Sequence, residues 1–248
     1  MTDVDRRWVV GRMAAGPTRV RLLCLAQAGG AAGAFAGWRP HLPDGLEIAP
    51  IELPGRGTRL AEPLADDFDV LVRDLVDGLA DDVADDYALF GHSFGGLVAY
   101  ELAVALVHAG RRPPVCLLVS GVRAPQAAVD EPLHRLDDDA LLAHLRRIDG
   151  IPEALLRHQA YVRTVVRAVR ADLRLADLYR RPDPFRVPFP LHVLGGVADP
   201  IVPPDTLGDW ERCAGGDFSV AVYPGDHFYL YRDPAPLLRD VAGVCGIE

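Results

Sequence analysis

Tyr87-Ala-Leu-Phe-Gly-His-Ser-Phe-Gly-Gly-Leu-Val-Ala-Tyr-Glu101 holds the pattern G-x-S-x-G, running from Gly91 through Ser93 to Gly95. Tyr87 to Phe90 is an apolar run that reads as a buried strand, and Leu97 to Val107 reads as a helix. A serine between glycines at a strand-to-helix junction is the sequence form of a nucleophile elbow. There the serine occupies a strained turn, and side chains at the flanking positions would collide with the strand and helix that meet. With 3 serines and 24 glycines in 248 residues, chance yields about 0.03 such matches before the strand and helix are required. The competing reading is a glycine-rich turn with no chemistry.

Working outward, short runs rich in Val, Ile and Leu recur at Val20 to Leu25, Leu46 to Leu53, Val115 to Val119, Leu191 to Leu194 and Phe218 to Val222. Their hydrophobicity is continuous, as expected of strands covered on both faces. Helical patterns lie between several of them: Phe68, Leu71, Leu75, Leu79 and Val83, then Leu97 to Val107, then Pro234 to Val244. Alternation of strand and helix predicts an α/β fold, with a mostly parallel central sheet flanked by helices. From about Leu133 to Asp183 only helical pattern is present, closed by a return through Pro182, Pro184, Pro188 and Pro190. The expectation is a single domain over 1–248 with a helical lid inserted at about 133–185.

Composition narrows the function classes. Half of the residues are hydrophobic, enough for a sizeable core, and the formal net charge of −9 argues against gripping a phosphate backbone over a broad surface. All 26 basic residues are Arg, a bias with no functional reading. The first residues carry charge where a secretory leader needs an apolar segment. The least polar stretch, Leu22 to Trp38, is interrupted by glycines and falls short of the roughly 20 residues needed to cross a bilayer. Cys24, Cys116, Cys213 and Cys245 are widely spaced with no C-x-x-C pair, which fits a reduced cytoplasm rather than a metal site. Nucleic acid and membrane are therefore not expected as partners.

A serine hydroxyl needs a base, and the chain order Ser, Asp, His is the one associated with such an elbow. His227, in Tyr223-Pro-Gly-Asp-His-Phe228, follows a strand and is the last of the eight histidines. A solvated turn residue is the plainer alternative. His92 adjoins Ser93 and is expected to point away from it. The acid is read as Asp199, in Leu194-Gly-Gly-Val-Ala-Asp-Pro-Ile-Val202, although Asp-Pro is also an ordinary turn signal. The rival position, Val119-Ser-Gly-Val-Arg-Ala-Pro125, offers no acid. An oxyanion hole needs two backbone donors: Phe94, next to the nucleophile, and Ala28, in the small-residue loop that opens at Leu25. No phosphate-cradling glycine motif is present.

Taken together, Cys24-Leu-Ala-Gln-Ala-Gly-Gly30, Glu52-Leu-Pro-Gly-Arg-Gly-Thr-Arg59, Gly91-His-Ser-Phe-Gly-Gly96, Asp199-Pro200 and Gly225-Asp-His-Phe-Tyr-Leu230 resemble the type II thioesterases of polyketide and nonribosomal peptide pathways. G-x-S-x-G alone indicates only the α/β-hydrolase superfamily; the Leu-Pro-Gly-Arg segment and the Gly-x-His-Phe ending are narrower. The resemblance implies Ser93 as nucleophile, His227 as base, Asp199 as orienter, and Ala28 and Phe94 as oxyanion donors. It implies hydrolysis of acyl groups from the phosphopantetheine arm of acyl or peptidyl carrier proteins, clearing stalled or misprimed assembly lines, by a free-standing monomer with no metal or dissociable cofactor. Two departures stand out. Gln27 occupies a position where the family usually has another residue, and Phe94-Gly95-Gly96 replaces a commoner Met-Gly-Ala.

Between Arg146 and Arg186 there are ten Arg and five acids, so basic charge is concentrated in the inserted helices. Arg163, Arg167, Arg170 and Arg174 are spaced 4, 3 and 4 residues, lining one helix face. This stripe is either a docking surface for an acidic carrier protein or a solvated face paired with Asp172 and Asp177. Asp66 to Asp86, with nine Asp and one Arg, reads as a solvated helix face. Leu141, Leu142, Leu145, Leu155 and Leu156 either line an acyl chamber or pack the helices, packing being the default. The alternatives are a small-molecule serine esterase or lipase, a product-releasing thioesterase, or a noncatalytic binding module on the same fold.

Overall fold

The computed structural model describes residues 8–127, 132–151 and 157–247. The charged first residues, Leu155 and Leu156 lie outside the described residues. Seven strands form one sheet: β1 (Met13–Ala14), β2 (Val20–Leu25), β3 (Leu46–Pro50), β4 (Tyr87–His92), β5 (Leu117–Ser120), β6 (Leu191–Gly196) and β7 (Phe218–Tyr223). Their order is β1-β3-β2-β4-β5-β6-β7, and only β1 is antiparallel to its neighbour. β2 lies between β3 and β4, with Leu23 opposite Ala49 and Leu89.

The continuous hydrophobicity of the central strands follows from this layering. Leu23, Leu89, Leu117, Val119 and Val193 point to one face, where they pack against α1 (Phe68–Gly78) and α2 (Phe94–His108). Leu22, Cys24, Ala88, Phe90 and Leu118 point to the other, against a 3-10 turn carrying Phe35 and Trp38. β7 departs from the expectation of two covered faces: Val220 is 41% and Val222 is 44% exposed, because the strand is an edge with one side open.

α1 is capped by Asp67, whose carboxylate accepts the amide of Val70 at 2.9 Å, and it ends at Gly78 rather than reaching Val83. The acidic run is therefore not one solvated helix face. Its later members lie in turns, where Asp82 pairs with Arg12 and Arg21, and Asp86 with Arg112.

Between β5 and β6 the chain inserts α3 (Asp138–Arg147) and α4 (Gln159–Leu178). Leu141 and Leu145 are buried against Ile151, Val166 and Val169, so they pack these helices together. Two shorter helices close the chain, α5 (Tyr229–Arg232) and α6 (Pro234–Val244); Leu237, Leu238 and Val241 of α6 join the second sheet face. The loops leaving β2, β4, β6 and β7 emerge at the carboxyl edge of the parallel sheet, the edge where open α/β sheets place their sites.

Candidate active site

Ser93 stands between β4 and α2 with φ 54° and ψ −123°, a conformation that L-residues adopt only under constraint. Its amide donates to the carbonyl of Ser120 at 2.8 Å, tying the turn to β5. A Cβ at Gly95 would overlap the carbonyls of Leu25 and Ala26, so the turn packs directly on the end of β2. The Phe94 amide opens α2, where no carbonyl of the helix can accept it and no side chain caps it, while the Gly96 amide turns back to the Ser93 carbonyl at 2.8 Å.

Asp199 follows β6 and His227 follows β7. The carboxylate accepts the His227 Nδ1–H at 2.8 Å through Oδ2 and the amides of Ile201 and Val202 at 2.8 and 3.0 Å through Oδ1. Both residues are buried, at 5% and 2% exposed. Burial pushes the Asp199 carboxyl up, but the hydrogen bond and charge of His227 and the two amides outweigh it and hold the group below its ordinary value. Such a pair fixes the imidazole with Nδ1 protonated and Nε2 as the acceptor.

His92 is engaged with His227. Its fully buried ring lies 4.8 Å from that of His227, centroid to centroid. Nδ1 is 3.0 Å from Ser120 Oγ, which in turn is 2.9 Å from Tyr229 Oη, while Nε2 has no partner. An orphan lone pair costs less than an orphan N–H, so the proton belongs on Nδ1. Burial, then the neighbouring His227, lower the pKa of His92. It stays neutral, and no second charge opposes an imidazolium on His227. The stability linked to this is whole above the unfolded value near 6.5 and is lost as pH falls below it toward the depressed folded value. His92→Gln, which keeps a polar partner for Ser120, is expected to show a shallower fall of Tm between about pH 7 and 5 than the wild type, measured by circular dichroism. His144 and His192, also lowered by burial, leave a residual slope. An unchanged slope in the variant refutes the assignment.

The loop opening at Leu25 makes a tight turn, with the amide of Gly30 on the carbonyl of Gln27 at 2.8 Å, and two buried carboxylates hold it. Glu52 accepts the amide of Ala32 at 2.9 Å and Asp172 of α4 accepts that of Gly29 at 2.8 Å. Asp172 also meets Arg56 in a two-pronged ion pair at 2.5 and 2.8 Å. Ala28 lies on the wall of a cavity of 570 Å³ that runs between this loop, α4 and Phe228 and is also lined by Tyr161, Val165 and Tyr231.

The arginine stripe divides. Arg163 and Arg167 are exposed beside a groove that shares Gly55, Leu60 and Thr164 with the cavity wall. Arg170 donates to the carbonyls of His134 and Leu136 and to Asp138, and Arg174 reaches the carbonyl of Asp66 at 3.3 Å. Pairing of the stripe with Asp172 and Asp177 does not occur, because these acids face Arg56 and His134.

Sequence reasoning missed the roles of His92, Ser120, Tyr229, Glu52, Arg56 and Asp172. For Asp172 a signal existed: on a helical wheel it falls amid Val165, Ala168, Val169 and Ala176, opposite the arginines, and an acid on an apolar face requires a buried partner.

The thioesterase domain family matches residues 20–243. The chain is 35% identical over 224 residues to thioesterase PikA5 of Streptomyces venezuelae, covering 90% of this chain and 80% of that protein. It is 32% identical to the gramicidin S biosynthesis protein GrsT of Aneurinibacillus migulanus, covering 94% and 91%. Among solved structures, the type II thioesterase BorB from the borrelidin biosynthetic cluster superposes with a TM-score of 0.84 at 34% identity, covering 98% of this chain and all of that one.

Proposed function

This chain belongs to the thioesterase domain family of α/β-hydrolase fold, and we propose that it is a free-standing editing enzyme that releases acyl groups from the phosphopantetheine arm of acyl or peptidyl carrier proteins in polyketide or nonribosomal peptide synthesis. The carrying observation is Ser93, held at positive φ at the carboxyl edge of the sheet where the buried His227–Asp199 pair also stands. In this reading Ser93 Oγ attacks the thioester carbonyl and His227 Nε2 takes its proton. The oxyanion is bound by the amides of Ala28 and Phe94, and Asp199 stabilises the imidazolium. The phosphopantetheine thiol departs, leaving an acyl-Ser93 ester that water activated by His227 hydrolyses to the free acid. A thiol of pKa about 8.5 needs little protonation to leave. The scheme calls for no metal or cofactor.

The inserted helices, about 133–185, act as a lid on a single domain spanning 1–248, and the cavity beneath α4 receives the acyl chain. We read the protein as a cytoplasmic monomer: its four buried cysteines form no disulfide, as in a reducing compartment, and the net charge of −9 gives nucleic acid no footing. Arg163 and Arg167 line an exposed groove that shares Gly55, Leu60 and Thr164 with the cavity wall and are available to an acidic carrier, whereas Arg170 and Arg174 are occupied within the protein. The double charge reversal Arg163→Glu/Arg167→Glu is expected to raise KM for a carrier-bound substrate about tenfold more than KM for the same acyl group on free phosphopantetheine. Equal changes in the two KM values would sink the docking assignment.

The test of the function is intact mass of an acyl-phosphopantetheinyl carrier protein after incubation with wild type and Ser93→Ala. Loss of the acyl group with wild type only supports the reading. An untouched carrier beside rapid cleavage of simple esters moves the assignment to an esterase, and failure of a fluorophosphonate to label Ser93 moves it to a noncatalytic module.

A further inference from the structure

We infer that Asp172, carried by the lid helix α4, is a positioning residue for the oxyanion hole, so that hydrolysis is confined to the state in which the lid is seated. The inference rests on the reading of Ala28 as a donor. Asp172 is 1% exposed and its partner Arg56 is 4% exposed. One carboxylate oxygen receives both the Gly29 amide at 2.8 Å and an Arg56 nitrogen at 2.5 Å, and the other receives the second guanidinium nitrogen at 2.8 Å. Arg56 also approaches the carbonyl of Gly30 at 3.4 Å. The peptide plane joining Ala28 to Gly29 is therefore clamped from the lid side, and the preceding plane, which carries the Ala28 N–H, is tied into the same turn through its Gln27 carbonyl, which accepts the Gly30 amide at 2.8 Å. Gly29 holds φ 71°, and a Cβ there would strike Val169, so the loop and α4 are seated on one another without a gap. At its far end Glu52 holds the amide of Ala32, but Glu52 belongs to the segment after β3 and stays with the core. Only the Gly29 anchor moves with the lid. Displacing α4 strips the donor loop of its Gly29 anchor and breaks the ion pair between Arg56 and Asp172.

The experiment compares two double variants, because removing one charge alone strands the other. Arg56→Met/Asp172→Asn removes both charges and keeps an oxygen acceptor for the Gly29 amide; Arg56→Met/Asp172→Leu removes the acceptor as well. Buried ion pairs replaced by apolar residues of similar volume commonly leave folds intact. The Leu variant is expected to fall about 30-fold below the Asn variant in kcat, with KM values within about threefold, since a loosened oxyanion donor is felt in the transition state alone. A tetrahedral boronic-acid analogue of the substrate should lose affinity by the same factor. Equal kcat in the two folded variants overturns the assignment. Should the Leu variant not fold, Asp172→Glu decides: displacing the carboxylate by one methylene is expected to cut kcat about tenfold at similar KM, and an unchanged kcat overturns the assignment. The two readings fail separately. A wild-type chain inert toward acyl thioesters, or one whose Ser93→Ala variant is equally active, removes the premise. A wild type dependent on Ser93, with the variants indistinguishable, removes only the role of Asp172.

Discussion

Ser93→Gly is expected to be catalytically dead and yet more stable than Ser93→Ala. Loss of the nucleophile should cost at least about 10⁴-fold in kcat on an acyl-carrier thioester, the residual rate coming from binding and the oxyanion donors. Stability should move the other way. Position 93 is held at φ 54° and ψ −123°, and a Cβ in that conformation carries strain of about 1–3 kcal/mol that glycine does not feel. Part of this gain is offset by the greater freedom of glycine in the unfolded chain, leaving a net advantage of about 1 kcal/mol for Ser93→Gly over Ser93→Ala. Urea unfolding of the two inactive variants measures the difference directly. Equal midpoints would mean that the elbow stores no strain at this residue, and its stability would then owe nothing to the choice of nucleophile.

Asp199→Asn should leave the fold in place and lower kcat by about 10⁴-fold. The Asn carbonyl oxygen can still accept the amides of Ile201 and Val202, so the turn after β6 survives. Its amide nitrogen, however, faces Nδ1 of His227, where a carboxylate oxygen sat at 2.8 Å. Two N–H groups cannot share that contact. The imidazole must carry its proton on Nε2 instead, the nitrogen that accepts from Ser93 in the proposed mechanism, and the imidazolium also loses its counter-charge. Fluorophosphonate labelling of Ser93 should slow in parallel with kcat, at a Tm within a few degrees of wild type. A fall of less than about tenfold would assign the orienting role to another group.

The fold was legible because its signals are short in sequence. Central strands such as β2 and β4 are continuously apolar over 22–25 and 87–90, since neighbours cover both faces, and the G-x-S-x-G turn is compressed into five residues where β4 meets α2. The same reading overreached at β7, where an apolar strand was taken as doubly covered although Val220 and Val222 lie open at the edge. Cover is a property of what packs on a strand rather than of the strand. It overreached again at α1, where Leu79 and Val83 are buried from a turn that continues the helical spacing without the helix.

For the site, the candidate residues and their order can be read from the residues alone: a serine in a glycine-flanked turn, an acid after β6 and a histidine after β7. Parallel strands deliver all three to one edge, so their chain order already constrains where they meet. Tertiary structure alone decided the rest. Asp172 finds Arg56 across 116 residues and the Gly29 amide across 143, His92 turns its ring to His227, and Arg170 leaves the solvent face to bind the carbonyls of His134 and Leu136. Periodicity reports which face of a helix is apolar. It does not report which amide or guanidinium an isolated buried carboxylate will meet, because that partner is supplied by a distant segment and selected by the cost of leaving any buried charge unpaired.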